Sequence, residues 1–264
     1  MQQTFQTLNV TIKDYVAWIT LNRPEIHNAF NETMIGELLS LYRQLGQSNN
    51  CRIVVITGAG KSFCAGADLK WMAGVVDYSF EQNLTESMQL AELFYTVYSL
   101  DKPTIAMVNG AAIGGGAGLV AVNDFVYITE AAKFSFSEVK LGLVPACISP
   151  YVIRKVGENY SRTLFLTGER IDAQRALEIG MANKISSHEQ LKQDVEKLID
   201  LLMTNGPRAM AICKHLLEQV PQLSLEDAKR FTAEVIANLR ISGEGQEGMK
   251  AFFSKRKPYW NKKC

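Results

Sequence analysis

The chain has 264 residues, of which 47% are hydrophobic, so it is long enough and apolar enough to bury a large core. Its 28 basic and 27 acidic side chains nearly cancel, which gives no overall electrostatic argument for a nucleic-acid partner. The sequence has no stretch of about 18 uninterrupted apolar residues, and its first residues lack a charged segment followed by an apolar one. We therefore expect a cytoplasmic protein with no membrane partner.

Cysteine and histidine are scattered along the sequence. The five cysteines are odd in number and show no C-x-x-C spacing, which disfavours a disulfide framework or a zinc site. The three histidines, His27, His188 and His215, are widely separated, which disfavours a histidine metal cluster. We predict no metal ion and no redox cofactor.

Apolar spacing in the first half of the chain predicts a hairpin, a helix and three buried strands. Alternating apolar residues at 8–12 and 16–20 are typical of a hairpin. Apolar residues at 34–45 recur at helical spacing after Asn31, a candidate helix cap. Three short runs are apolar on both faces, as strands buried between layers should be, namely IVVIT at 53–57, TIAMV at 104–108 and FVYIT at 125–129.

Helical patterns separate these strands and then dominate the second half of the chain. A helix is predicted around 82–100, and buried-strand signals almost stop after Ser161. Four later runs have helical spacing, at 174–180, 189–203, 207–220 and 225–240. The predicted fold class is α/β, with a core at 1–200 followed by a helical C-terminal part at 201–264.

The stretch VNGAAIGGGAGLVAVNDF at 108–125 is apolar yet rich in glycine, which costs conformational entropy in any regular element. One interpretation is a dinucleotide fingerprint, because residues 116–121 fit G-x-G-x-x-A. Only about seven residues separate Gly116 from the strand at Phe125, whereas a parallel crossover needs a dozen or more. The spacing therefore disfavours a dinucleotide site.

A second interpretation is a short helix at 117–123 whose first N–H groups lack internal partners and face a ligand. Two such N–H groups directed at one point form an oxyanion hole, which stabilises charge on a carbonyl oxygen. The loop KSFCAGADLKWM at 61–72 offers the second N–H group, because it also follows a buried strand and carries Gly66 among small residues. For either loop alone, a tight connection that uses small residues for packing remains an alternative.

Five segments between Val16 and Phe253 occur in an order and spacing that are highly specific. In these segments the chain resembles the crotonase family of enoyl-CoA hydratases and isomerases: LNRPEIHNAF, VVITGAGKSFCAGADLKWM, KPTIAMVNGAAIGGGAGL, FSFSEVKLGLVP and GERIDAQRALEIGMANKI. The resemblance implies a core of repeated ββα units and a C-terminal region at 201–264 that serves oligomerisation, as a homotrimer or a hexamer built from two trimers. It also implies an acyl-CoA thioester as the partner, with CoA entering as part of the substrate and no separate cofactor.

By the same resemblance, the oxyanion N–H groups belong to Ala67 and Gly115, and the catalytic carboxylate belongs to Glu138. Water addition to a 2-enoyl thioester builds enolate charge on the thioester oxygen, where two preorganised N–H groups help most. A carboxylate in an apolar pocket should have a raised pKa, which suits proton transfer near neutral pH. Ten further positions are predicted to contact acyl-CoA: Arg23, Glu25, Ile26, Ala65, Asp68, Leu69, Gly114, Gly118, Ala146 and Lys255.

The chain departs from typical hydratases at Gly118, where the first of their two catalytic glutamates would stand. One hypothesis is a hydratase of the methylglutaconyl-CoA or carboxygeranoyl-CoA type, which the loops resemble most, with Gly118 leaving room for a second carboxylate on the substrate. A second is an isomerase that converts 3-enoyl-CoA to 2-enoyl-CoA, because a single glutamate can move a proton between two carbons. A third is an acyl-CoA-binding protein without catalysis.

Other side chains near the predicted site have simpler interpretations. Cys64 and Cys147 flank it and are interpreted as packing residues rather than nucleophiles. Trp71 either lines the acyl pocket or anchors the helix that follows. The basic tail KRKPYWNKK, which begins at Lys255, is interpreted as solvated and loosely ordered.

Overall fold

The computed structural model describes residues 5–261, and they form an α/β fold with a helical C-terminal region, as predicted. Ten strands are present in this part of the chain: β1 Leu8–Lys13, β2 Val16–Leu21, β3 Ile53–Gly58, β4 Ser62–Cys64, β5 Thr104–Val108, β6 Ala111–Ile113, β7 Phe125–Thr129, β8 Lys133–Ser135, β9 Arg170–Asp172 and β10 Lys184–Ser186. Ten α-helices accompany them: α1 Glu32–Gln47, α2 Leu69–Val75, α3 Phe80–Tyr98, α4 Gly115–Ala121, α5 Ser149–Thr167, α6 Ala173–Glu178, α7 His188–Met203, α8 Pro207–Gln219, α9 Leu225–Ile241 and α10 Gly243–Phe253.

The strands form two sheets that follow from a repeated ββα order. The first strand of each repeat, β3, β5 or β7, enters a six-stranded sheet of order β1-β2-β3-β5-β7-β10. The second strand, β4, β6 or β8, enters a four-stranded sheet of order β4-β6-β8-β9. The predicted ββα repeats and the antiparallel β1–β2 hairpin are both confirmed.

Side-chain chemistry explains why the longer elements form where they do. Every residue of β3 except Thr57 is buried, as expected for a strand covered on both faces. Helix α1 begins after Asn31, whose side chain accepts a hydrogen bond from the Met34 N–H, and its apolar face packs into the core. Helix α3 begins with a capping box between Ser79 and Gln82.

The chain divides into two compact units. The first comprises the residues up to Leu100 together with Thr104–Val195, and it contains both sheets and the main hydrophobic core. The second comprises Asp101–Pro103 and the residues from Glu196 onward, and it is built from helices. None of the helices in the described part of the chain is long and apolar enough to span a membrane.

Candidate active site

Three parallel strands of the four-stranded sheet, β4, β6 and β8, are neighbours and end at the same edge. The segments that leave this edge carry the predicted oxyanion N–H groups of Ala67 and Gly115 and the predicted carboxylate of Glu138. Three segments that are far apart in the sequence therefore leave the sheet side by side.

The first loop is fixed by a short parallel bridge between Phe30 and Ala67. The Phe30 N–H donates to the Gly66 carbonyl oxygen at 2.7 Å, and the Asp68 N–H donates to the Phe30 carbonyl oxygen at 2.8 Å. Because successive N–H groups of an extended segment point to opposite sides, the Ala67 N–H faces away from Phe30. Within residues 5–261 this N–H has no hydrogen-bond acceptor.

The second loop runs from β6 into the first turn of α4. Gly114 has a φ of 51°, which favours glycine, and its N–H donates to the Ser135 carbonyl oxygen at the end of β8, at 2.8 Å. Gly115 is the first residue of α4, so its N–H has no partner inside the helix. The described residues offer it no other acceptor, and Gly115 is only half-buried.

The Glu138 carboxylate lies against this second loop. Glu138 belongs to a 3-10 helix at Ser137–Leu141, and a Cβ atom added to Gly114 would lie 3.0 Å from its Oε1 atom. The Oε2 atom is buried and has no hydrogen-bond partner among the described residues. Burial raises the pKa of Glu138, which agrees with the expectation for a carboxylate in an apolar site.

Gly118 lies one turn further along α4 and has a different neighbour. A Cβ atom added there would lie 2.8 Å from the Ile148 Cβ atom and would overlap its Cγ2 methyl group. Ile148 is 3% exposed, so this space is filled by protein. The prediction that Gly118 leaves room for a second substrate carboxylate is therefore wrong, because Ile148 fills the volume that glycine opens.

A comparison of the chain with models of protein families identifies its family. The family model described as enoyl-CoA hydratase/isomerase matches residues 11–263. The chain belongs to the enoyl-CoA hydratase/isomerase family. The family that the five sequence segments resemble is therefore the family of this chain.

Individual proteins are similar to this chain over nearly its whole length. The crystal structure of an enoyl-CoA hydratase from Shewanella pealeana is 42% identical, with a TM-score of 0.94, and covers 97% of this chain and 96% of its own. Pseudomonas aeruginosa AtuE is 34% identical, with a TM-score of 0.94, over 97% of this chain and 100% of its own. The short-chain-enoyl-CoA hydratase of Clostridium acetobutylicum is 30% identical over 92% of each chain.

In this family member, Arg23 and Asp68 contact each other. Arg23 Nη2 lies 2.7 Å from Asp68 Oδ2, and the two side chains are 18% and 11% exposed. Burial raises the pKa of Asp68, but the hydrogen bonds from the Lys70 N–H and the Arg23 guanidinium outweigh it, so the pKa lies below its usual value. The pair braces the Ala67 loop, and its contact with CoA stays a prediction.

The remaining predicted substrate contacts are spread over several segments. Glu25 and Ile26 form part of the 3-10 helix Pro24–Ile26. Two others lie within two residues of Ala67 in the chain: the Ala65 N–H donates to the His27 carbonyl oxygen, and Leu69 is 81% exposed at the start of α2. Ala146 is exposed in the segment that leads to α5. Lys255 is exposed and belongs to the second unit.

Two ambiguous side chains are now assigned by their contacts. Trp71 Nε1 donates to Glu86 Oε1 on α3 at 3.0 Å, and its ring packs on the core, so Trp71 anchors α2. Cys64 is fully buried and burial raises the pKa of its thiol to about 12, which supports a packing role.

Phe30 was missed as a site residue. It lies in the LNRPEIHNAF segment, and its only sequence signal is an apolar residue before the Asn31 cap. Its contacts with both loops exist only in the folded chain.

Proposed function

We propose that this chain is an enoyl-CoA hydratase that adds water to the double bond of a 2-enoyl-CoA thioester. The Ala67 and Gly115 N–H groups would bind the thioester oxygen, and Glu138 would handle the protons. The names of its relatives in the family support the reaction. Because CoA arrives as part of the substrate, the proposal needs no separate cofactor.

One observation carries the proposal: the Glu138 carboxylate approaches Gly114, whose carbonyl carbon is bonded to the Gly115 nitrogen. A Cβ atom at Gly114 would lie 3.0 Å from Glu138 Oε1 and 3.6 Å from its Cδ atom. If the thioester oxygen of a substrate binds the Gly115 N–H, the C2 and C3 atoms of its acyl chain therefore lie near the Glu138 carboxylate. This is the proximity that general acid–base catalysis requires.

The proton balance of hydration can be met by one carboxylate. Ionised Glu138 takes a proton from water as the water oxygen bonds to C3, and the electron pair of the double bond moves toward the thioester oxygen. The two N–H groups stabilise the enolate that forms. Protonated Glu138 then gives the proton to C2, and the carboxylate is ready for another cycle.

A second candidate is isomerisation of a 3-enoyl-CoA to a 2-enoyl-CoA. Hydrocarbon from Ile148 covers Gly118, so Glu138 has no carboxylate facing it from that position. In this reaction Glu138 would remove a proton from C2 and return it to C4, with the same enolate bound to the same two N–H groups. Water would play no part.

The acyl group is proposed more narrowly as a branched dicarboxylic one, such as 3-methylglutaconyl-CoA. The resemblance of the loops to hydratases of that type supports this substrate. Gly118 does not support it, because Ile148 occupies the adjacent space. A second carboxylate would have to bind elsewhere in the acyl pocket.

We also propose a cytoplasmic homotrimer or a hexamer built from two trimers. Large apolar side chains of the second unit are exposed in the single chain, which is typical of a surface that another protein covers. They include Leu217, Leu225, Ile241, Phe252 and Phe253, each more than three quarters exposed. Sedimentation velocity would test the assembly, and a monomer would contradict it.

Enoyl-thioester absorbance, recorded separately with crotonyl-CoA, 3-methylglutaconyl-CoA and a 3-enoyl-CoA, tests the reaction. A fall that is fastest with 3-methylglutaconyl-CoA and is lost in Glu138→Gln supports the full proposal. A comparable fall with crotonyl-CoA alone supports a hydratase but not the dicarboxylic substrate. A rise with the 3-enoyl substrate and no fall with the others means an isomerase, and tight binding with no turnover means a binding protein.

A further inference from the structure

We infer that Phe30 is a positioning residue that holds the two N–H groups of the oxyanion hole at their working separation. The inference rests on the proposed function, since it concerns the same thioester oxygen. Phe30 is 1% exposed, and its side chain is among the largest fully buried ones in the described part of the chain. It contacts both loops with different parts of one residue.

The backbone of Phe30 sets the direction of the Ala67 N–H. Its N–H and its carbonyl oxygen bond to Gly66 and Asp68, the residues on either side of Ala67, at 2.7 and 2.8 Å. With both flanking peptide groups held on one side, the Ala67 N–H must face the other side. Rotation of this peptide would break at least one of the two bonds.

The ring of Phe30 packs against the second loop. A Cβ atom added to Gly115 would lie 3.3 Å from the ring atom Cδ2 and 3.4 Å from Cε2. The ring edge therefore covers the face of Gly115 where a side chain would stand. The backbone of Phe30 holds one N–H group while its ring limits how far the other can move.

The segment that carries Phe30 is itself braced. The buried Asn28 side chain donates to the carbonyl oxygens of Ala59 and Ser62, both at 2.9 Å. The carbonyl oxygen of Ala29 accepts a hydrogen bond from Arg23 Nη1 at 2.8 Å. The Nη2 atom of the same guanidinium forms a salt bridge with Asp68 on the Ala67 loop. The bracing makes Phe30 a fixed spacer between the loops.

Shortening the side chain at position 30 should therefore lower kcat more than it changes KM. An oxyanion hole stabilises charge when both donors lie about 2.7–3.1 Å from the charged oxygen. A shorter side chain at position 30 would let the Gly115 N–H move out of this range. A shift of about 1 Å can cost about 100-fold in rate. The predicted CoA contacts belong to other residues, so CoA binding should change much less.

The matched variants are Phe30→Leu and Phe94→Leu. Phe94 is fully buried in α3 and packs beside Tyr151, with the ring centres 6.5 Å apart, so its truncation removes the same volume from the core. We expect Phe30→Leu to lower kcat about 10- to 100-fold with KM changed less than about threefold. Phe94→Leu should change kcat less than about threefold even if both variants lose similar stability.

A spectroscopic probe separates positioning from loss of stability. A dimethylaminocinnamoyl-CoA thioester absorbs at longer wavelength when its carbonyl oxygen is polarised, so the shift on binding reports the two N–H groups directly. We expect Phe30→Leu to bind the probe with less than about half of the wild-type shift and Phe94→Leu to keep the full shift. Equal shifts in both variants and the wild type would overturn the inference and leave the hydratase proposal standing. A wild-type protein that shows neither shift nor hydration would overturn both.

Discussion

Gly114 and Gly118 lie one turn apart at the start of α4, and their surroundings differ completely. Beside Gly114 lies a carboxylate oxygen of Glu138, and beside Gly118 lies the hydrocarbon of Ile148. Gly114 has a positive φ of 51°, whereas Gly118 lies within regular helix. The absence of a side chain at Gly114 lets the Glu138 carboxylate approach the backbone, and its absence at Gly118 lets α4 pack closely against Ile148.

This difference shows that a glycine-rich run need not have one purpose. Both glycines occur in the same six letters, GGGAGL, at 114–119, and composition cannot separate them. Only the side chain that each glycine contacts in the folded chain distinguishes them, Glu138 for Gly114 and Ile148 for Gly118. Substitutions at each glycine and at its neighbour therefore test whether the two glycines differ in role.

The largest expected effect belongs to the carboxylate beside Gly114. Glu138→Gln keeps the size of the side chain but cannot take or return a proton, so we expect kcat for hydration to fall about 10²- to 10⁴-fold. Steady-state absorbance kinetics would measure it. The exposed Glu130→Gln is the matched control and should keep wild-type kcat. Equal activity of the two variants would remove Glu138 from the mechanism.

Gly118→Glu should damage folding more than it helps chemistry. The new side chain overlaps Ile148 and buries a carboxyl group in hydrocarbon, so the free energy of unfolding should fall by about 3 kcal/mol. Urea denaturation would show this, and Gly118→Glu combined with Ile148→Ala should recover part of the loss.

The control for that substitution is Gly36→Glu on α1. Gly36 is exposed and has no atom within 4 Å of an added Cβ, so this variant should be at least as stable as the wild type. If Gly118→Glu were equally stable, the packing role of Gly118 would be contradicted.

Gly114→Ala should separate backbone strain from the approach of the carboxylate. Gly157 has a φ of 79° with no atom within 4 Å of an added Cβ, so Gly157→Ala carries the strain alone. Both variants should lose about 1–3 kcal/mol of stability, because each glycine has a backbone conformation that other residues rarely adopt. Only Gly114→Ala should also lose activity, about 10-fold or more, because its methyl group displaces Glu138. Similar kcat values in the two variants would mean that the carboxylate tolerates displacement.

The smallest expected effect is a pH dependence of stability. Burial raises the folded-state pKa of Glu138 above its ordinary value of 4.5, so the folded chain binds this proton more tightly than the unfolded chain. The resulting stabilisation is complete below about pH 4.5 and is lost as pH rises through the folded-state pKa. Glu138→Gln should therefore be more stable than the wild type near neutral pH, with a gap that closes on acidification. A gap that does not change from about pH 4 to about pH 8 would contradict the raised pKa.

Long elements and their caps could be predicted from the sequence. The runs at 53–57, 104–108 and 125–129 became β3, β5 and β7, and Asn31 caps α1 as expected. Each of these elements repeats its own signal over several residues, either as a continuous apolar run or as a helical stripe. The helix predicted around 82–100 is α3, with bounds two residues earlier at each end.

The strands that position the site gave no such signal. β4, β6 and β8 have three residues each, too few for a period to appear, so the four-stranded sheet was not predicted. The candidate residues Ala67, Gly115 and Glu138 came from resemblance, and their common edge follows from the strand order.

The α/β class, the longer elements, the family and the loops proposed to carry the chemistry could thus all be predicted from the amino-acid sequence. The tertiary structure alone decided what lies beside each glycine: Glu138 against Gly114, Ile148 against Gly118 and the Phe30 ring against Gly115. The physical reason is that secondary structure depends on periodic patterns of neighbouring residues, whereas these contacts join residues far apart in the chain. The distances between them are set by the packing of these elements in the folded chain. Because glycine has no side chain, its presence in the sequence does not indicate which residue will lie beside it.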